Sequence, residues 1–287
     1  MNVHRVLRKW NLRPDKALGQ NFLVDDAVLQ RIADAAEPTP QDVVLEIGAG
    51  TGALTQHLAR RAGRVVAIEL DQALIPVLES ELAGFDNVTV VQGDILELDP
   101  VRLVEDAGRE LDAPRVRYKV VGNLPYYITS AIIRHLLEAE RRPELMIITV
   151  QYEVAKRIVA EPGDMSVLAV SVRFYGDAEL LFRIKSGSFY PAPAVDSGVV
   201  RVDVHDAPPL PDEETDAFFQ VVRAGFSQRR KQLHNALSAG LGERISKDEA
   251  ASRLEGAGVD HRRRAQTLTV EEWIAVTRAL NDRLTPP

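Results

Sequence analysis

The chain has 287 residues, 45% of them apolar and 27% charged, which suits about two globular domains and excludes wholesale disorder. Thirty-five Lys+Arg against 42 Asp+Glu leave a net charge of −7, excluding a uniformly basic nucleic-acid coat. No cysteine is present, so disulfide frameworks, thiolate nucleophiles and cysteine-based metal centres are excluded.

The first twenty residues carry Arg5, Arg8, Lys9, Arg13 and Lys16 against Asp15 alone, a local charge of +4. This start lacks the apolar core of a signal peptide, and no apolar run reaches the roughly 18 residues of a membrane helix. A cytoplasmic protein without a membrane partner is therefore expected. Within residues 16–23, Asn21 and the Leu23 backbone can form a lid over a ligand or merely a helix-entry turn capped by Asp25. The residues alone leave both open.

From about residue 24 to 150, apolar runs at 43–47, 64–69, 88–91, 118–121 and 145–150 read as short buried strands. Helical spacing at 26–36, 53–62, 72–83 and 128–139 separates most of them, with 99–115 less definite. Such alternation predicts a mostly parallel sheet with right-handed crossovers. Residues 180–184 and 199–204 predict two further strands closing the sheet, with antiparallel pairing. The run His205-Asp-Ala-Pro-Pro-Leu-Pro211 reads as a linker, because consecutive prolines cannot continue a ladder. Beyond it, 212–226, 229–240, 247–257 and 270–283 carry helical spacing. The expected organisation is a basic arm and lid at 1–23, an α/β nucleotide-binding-type domain at 24–205, and a small all-helical domain at 212–287.

In open parallel sheets, ligands bind beyond the carboxyl ends of the strands near the topological switch point. The first marked segment there is Glu46-Ile-Gly48-Ala-Gly50-Thr-Gly52, three glycines opening a helix. Its spacing Gly48-x-Gly50-x-x-Ala53 also fits the dinucleotide fingerprint, so readers of NAD and of S-adenosylmethionine both stay open. Glu69 ends the second strand 21 positions beyond Gly48, where a carboxylate can accept both hydroxyls of a ribose. Asp94, after Gly93, can take an adenine amine, with Ile95 packing on the ring.

The deciding segment is Gly122-Asn123-Leu124-Pro125-Tyr126-Tyr127, after the fourth strand. An exocyclic amine such as adenine N6 is a poor nucleophile because its lone pair is delocalised into the ring. The Asn123 side-chain oxygen and the Leu124 carbonyl can each accept one N–H, favouring a pyramidal nitrogen with its lone pair aimed at a methyl group. Pro125 fixes the turn and Tyr126 can stack on the base; orientation and electrostatics then carry the catalysis. Phe189, in a proline-braced loop, reads by itself as a buried structural aromatic; alongside the Asn123 motif it can face Tyr126 across an extruded base. No metal site is expected, since the six histidines (4, 57, 135, 205, 234, 261) lack paired ligand spacing.

At these residues the sequence resembles the bacterial 16S ribosomal RNA adenine-N6,N6-dimethyltransferase family, over essentially all of residues 12–283. The matching motifs are Lys16–Leu23, Glu46–Gly52, Glu69-Leu-Asp71, Gly93-Asp94, Asn123–Tyr126, Gln151–Arg157, Phe189–Ser197 and Phe226–Asn235. The resemblance implies a Rossmann-like methyltransferase domain and S-adenosylmethionine as donor, bound by Asn21, Leu23, Gly48, Glu69, Asp94 and Asn123, to which the reading of the residues adds Gly50 and Ile95. It implies two adjacent adenines of the 3′-terminal 16S rRNA hairpin loop, within a pre-30S particle, as acceptors for a monomeric enzyme. Arg229, Arg230 and Lys231 of the helical domain would then meet RNA. Two departures stand out: Ala194 replaces a Lys or Arg common in relatives, and the usual Tyr-Gly pair is missing around Asp164-Met-Ser166. The rival readings are a 23S rRNA methyltransferase of the macrolide-resistance type, a DNA adenine methyltransferase, a non-catalytic assembly factor and an NAD oxidoreductase.

Overall fold

The computed structural model describes residues 2–15, 17–109, 111, 117–125 and 128–284. The chain divides into two compact units, residues 1–156 with 178–204, and residues 157–177 with 205–287.

In the first unit, α1 (Val3–Lys9) is followed by β1 (Phe22–Leu23), α2 (Asp26–Ala35), β2 (Asp42–Ile47), α3 (Ala53–Ala59), β3 (Arg64–Glu69), α4 (Ile75–Leu82) and β4 (Val88–Gln92). Next come α5 (Pro100–Gly108), β5 (Arg117–Asn123), α6 (Thr129–Leu137), β6 (Leu145–Gln151) and α7 (Tyr152–Ile158). After α8 (Val167–Tyr175), β7 (Gly176–Ile184), β8 (Phe189–Tyr190) and β9 (Ser197–Val204) complete the strands. The main sheet has the order β4-β3-β2-β5-β6-β9-β7. Strands β4 through β6 are parallel, as the alternation of apolar runs and helices predicts, and β9 is antiparallel to β6. The order runs outward from β2 in both directions, so the switch point lies between β2 and β5, where a ligand cleft is expected.

The interior strands explain themselves. Residues 42–47 of β2 are buried throughout, as are 118–122 of β5 and 145–150 of β6, because helices cover both faces. The doubtful 99–115 contains α5, opened by Pro100 and capped by the Asp99 carboxylate. The basic start contains a folded helix: Asn2 caps α1, and Val3, Val6 and Leu7 bury one face in the core of this unit.

In the second unit, α8 is joined by α9 (Asp212–Phe226), α10 (Leu233–Leu241), α11 (Lys247–Gly256) and α12 (Val270–Leu280). Phe174 of α8 stacks on Phe218 of α9 at a centroid distance of 4.6 Å. Gly225 is needed where α9 meets fully buried Trp273, since a Cβ there would lie 2.4 Å from the indole. The helix expected over 229–240 begins later, at Leu233. Residues 227–231 form a turn instead, and Leu233 N–H donates to the Arg263 carbonyl at 2.7 Å. Around the missing Tyr-Gly pair, the Ser166 hydroxyl accepts from Ala169 N–H and caps α8.

Candidate active site

Five strand ends and the β1 segment converge on one open cleft. Its walls include Asn21, Phe22 and Leu23; Glu46 to Thr51; Glu69 and Leu70; Gly93 to Ile95; Asn123 to Pro125; and Thr149. The cofactor residues expected from the sequence therefore share one cavity although they span more than a hundred positions. Tyr126 lies outside the described residues.

The glycine loop owes its shape to backbone conformations that side chains resist. Gly48, Gly50 and Gly52 have φ of +75°, +60° and +80°. A Cβ on Gly50 would also press 3.1 Å from the Phe22 ring. Gly48 and Ala49 donate their N–H groups to the Ile68 carbonyl, fixing the loop to the end of β3.

Glu69 closes that arrangement. Its Oε2 accepts from Gly50 N–H at 2.8 Å and its Oε1 from Asp71 N–H at 2.9 Å. A carboxylate has about four acceptor sites, so capacity remains for ribose hydroxyls. Burial raises its pKa, and the backbone donors of Asp71 and Gly50 oppose that rise. Asp94 is half-buried, with Oδ1 accepting from Leu96 N–H, and Ile95 is buried beside it.

At the end of β5, Leu124 N–H donates to the Thr149 carbonyl at 3.0 Å, and the Thr129 hydroxyl donates to the Pro125 carbonyl at 3.0 Å. These bonds hold the Asn123–Pro125 turn open toward the cleft. Asn123 Nδ2 donates to the Asn21 carbonyl at 3.0 Å, joining the turn to the β1 segment. Asn21 and Leu23 line the cleft while Asp25 caps α2 through Ala27 and Val28 N–H. The cleft wall and the helix-entry turn thus belong to one segment.

Phe189, read from the sequence as a base platform or a buried structural aromatic, has the burial of the second. It is 4% exposed and belongs to the core. The cause is β-pairing, since β8 lies antiparallel to β1 with Leu23 opposite Phe189. Its neighbour Tyr190 is 41% exposed, with its ring 4.6 Å from that of His4. In the second unit Arg229, Arg230 and Lys231 are exposed in the turn before α10, and Arg262 and Arg264 are exposed in the segment hydrogen-bonded to it. Ala194 is exposed in the loop between β8 and β9.

Sequence reading passed over the carboxyl group of Glu46, treating it as the lead-in to the glycines. Glu46 lines the cleft at 2% exposure, and its Oε2 has no hydrogen-bond partner. Burial pushes this carboxyl up to about 8; the Thr55 hydroxyl opposes the rise and Glu69 adds to it. The signal was available as an acid inside an otherwise apolar strand. A cleft that joins this buried carboxyl to the glycine loop, the Glu69 carboxylate and Asp94 suits a nucleoside, so the residues fit S-adenosylmethionine. Among the described residues, no group of three His, Asp or Glu side chains is placed to hold a metal. No helix among them is long and apolar enough to cross a membrane.

Comparison with known proteins adds independent findings. The family model described as ribosomal RNA adenine dimethylase matches residues 11–281. A "Ribosomal RNA small subunit methyltransferase A" of Dehalococcoides mccartyi is 46% identical over 268 residues, covering 93% of this chain and 89% of the relative. Its namesake in Moorella thermoacetica is 46% identical over 277 residues, covering 96% and 95%. Among solved structures, the 23S rRNA methyltransferase ErmE superposes with a TM-score of 0.70 at 29% identity, covering 91% of this chain and all of that one. A dimethyladenosine transferase from Plasmodium falciparum superposes with a TM-score of 0.76 at 24% identity, covering 91% and 98%, and speaks for the fold alone. The chain belongs to the ribosomal RNA adenine dimethylase family.

Proposed function

We propose that this S-adenosylmethionine-dependent rRNA adenine dimethyltransferase acts on the small ribosomal subunit. Its acceptors are N6 of two adjacent adenines in the 3′-terminal hairpin loop of 16S rRNA, each methylated twice within a pre-30S particle. The observation that carries the reading is the Asn123–Pro125 turn opening onto the same cleft as the glycine loop, Glu69 and Asp94. The names of the two 46% identical relatives favour the small subunit over the 23S substrate of ErmE.

S-adenosylmethionine supplies a methyl carbon on a positively charged sulfur, leaving as a neutral thioether. The chain's residues bind and orient. Glu69 accepts ribose hydroxyls, Asp94 accepts an adenine amine and Ile95 packs on the ring. Gly48 and Gly50 let the backbone approach closely, while Asn21 and Leu23 cover the donor. Asn123 Oδ1 and the Leu124 carbonyl each accept one N–H of the target amine, localising the nitrogen lone pair. The surplus proton leaves once the nitrogen is positively charged, so no side-chain base is required. This is catalysis by orientation and fixed dipoles. Tyr126 is assigned to stack on the target base, and Phe189 braces the Phe22–Leu23 strand that it pairs with. Arg229, Arg230 and Lys231 meet rRNA phosphates on the helical unit. The proposed enzyme is monomeric and cytoplasmic.

The test supplies labelled S-adenosylmethionine to 30S particles lacking the modification and maps methylated positions by primer-extension stops. Stops at two adjacent adenines near the 16S 3′ end are expected, and stops in 23S rRNA alone would overturn the reading. Asn123→Ala should lose the signal by a factor of at least ~100 while retaining donor binding, in line with removal of a single oriented polar group.

A further inference from the structure

Two residues inside the recognised motifs have no assigned part in the chemistry, Gln20 and Asp71. Both ends of the half-buried Gln20 amide are engaged. Its Nε2 donates to Asp71 Oδ2 at 2.7 Å, and its Oε1 accepts from Asp15 N–H at 2.7 Å. Asp71 is tied in turn on three sides. Its Oδ1 accepts from Ala73 N–H at 2.9 Å, its Oδ2 takes Gln20, and its own N–H donates to Glu69 Oε1 at 2.9 Å. One residue beyond Gln20, the Asn21 carbonyl accepts from Asn123 Nδ2 at 3.0 Å. A continuous path therefore runs from the glycine loop through Glu69, Asp71 and Gln20 to Asn21 and the Asn123 amide.

We infer that Gln20 and Asp71 form a latch holding the Asn21–Leu23 lid over the donor and fixing the direction of the Asn123 side chain; this rests on the reading of the cleft given above. Asp71 does not line the cleft, and Gln20, which does, has both ends of its amide engaged by Asp71 and Asp15, so both are positioning residues. The Gln20–Asp71 bond spans 51 positions and joins the lid to the end of β3, beyond the reach of local turn formation. Its acceptor is a carboxylate, which makes it stronger than a neutral pair. Loss of the latch lets the lid open and leaves the Asn21 carbonyl unfixed, so Asn123 Nδ2 loses its anchor.

Donor and acceptor logic supplies the test. In Asp71→Asn the amide has one oxygen for two donors, so with Ala73 N–H retained its nitrogen faces Gln20 Nε2, donor against donor. In Gln20→Glu two carboxylates face each other. In the double variant the bond between the two side chains is restored with its polarity inverted, and the bonds to Asp15 and Ala73 keep their direction. The carboxylate introduced at position 20 accepts from Asp15 N–H and from the amide introduced at position 71, whose oxygen still accepts from Ala73 N–H. Net charge equals that of the wild type.

The full-length wild type, both single variants and the double are compared for tritiated S-adenosylmethionine affinity and dissociation rate. Hydrogen exchange over residues 17–23 is followed in parallel. Each single variant should bind roughly tenfold more weakly, the scale of one charge-assisted hydrogen bond, mainly through faster release, with faster exchange in the lid. The double should return to within about twofold of wild type, as a coupled pair requires. Gln20→Ala, which adds no charge, should resemble the single variants. Additive losses in the double, or wild-type release in the singles, would overturn the latch while leaving the cofactor reading intact. Failure of the wild type itself to bind the donor would overturn both.

Discussion

Strand β2 carries two buried acids only four residues apart, treated in opposite ways. Asp42, at its amino end, is fully buried and compensated. Lys119 Nζ lies 3.0 Å from Asp42 Oδ2, and the Thr39 N–H and hydroxyl donate to the same oxygen at 2.8 and 2.9 Å. The second oxygen, Oδ1, accepts no hydrogen bond but faces the Arg117 guanidinium at 3.9 Å. Glu46, at the carboxyl end, is about equally buried, yet among the described residues it has no cationic partner; one of its oxygens is unbonded, and the residue lines the cleft. A buried charge costs heavily unless paired, so the first arrangement is that of a structural joint. An uncompensated acid in an open cleft is poised for a ligand. One strand thus anchors the sheet at one end and presents the site at the other.

The largest effect is expected at the structural end. Lys119→Met leaves Asp42 as a buried charge without its main partner, and denaturant titration should show a loss of ~3–5 kcal/mol. Donor affinity of the folded fraction should stay within about twofold; a large fall there would erase the distinction between the two ends.

Glu46→Gln should act in the reverse sense, weakening donor binding about tenfold, the scale of a hydrogen bond to a charged group, without comparable cost in folding. Its stability effect has a defined pH sign. The folded carboxyl titrates at about 8 against an ordinary 4.5, so between those values the folded state holds a proton that the unfolded state has released. Wild-type stability is therefore full below 4.5 and declines as pH rises toward 8. Wild-type Tm measured against that of Glu46→Gln, without donor, should fall steadily through that window. A flat difference would show that Glu46 ionises normally.

The smallest effect belongs to Arg117→Ala. Its guanidinium is half exposed, so solvent screens its attraction for Asp42. A change under ~1 kcal/mol is expected by the same titration, and a larger one would make Arg117, with Lys119, part of the joint.

Much of this architecture was legible because punctuation coincides with strand ends. Three glycines, Glu69, Asp94 and the Asn-x-Pro turn each follow an apolar run, and the runs themselves mark a sheet covered on both faces. What escaped is structure with too little sequence to carry a period. Strands β1 and β8 are two residues each, so alternation cannot reveal them, and their pairing is what buries Phe189. Helix α1 was hidden by its charges, although Val3, Val6 and Leu7 hold helical spacing. The Asp42–Lys119 joint unites residues 77 positions apart, and the Gln20–Asp71 bond 51. No local pattern announces either.

On the proposed reading, the bond from Asn123 Nδ2 to Asn21 also decides which bases are refused. With that nitrogen committed to the lid, Asn123 turns its oxygen to the incoming base, and Leu124, whose N–H is committed to Thr149, can add only a carbonyl. Hypoxanthine, which carries a keto oxygen where adenine carries its amine, would set lone pair against lone pair, with no donor to satisfy either acceptor. Deaminated RNA would be turned away by the shape of a hydrogen-bond pattern, before any question of reactivity arises.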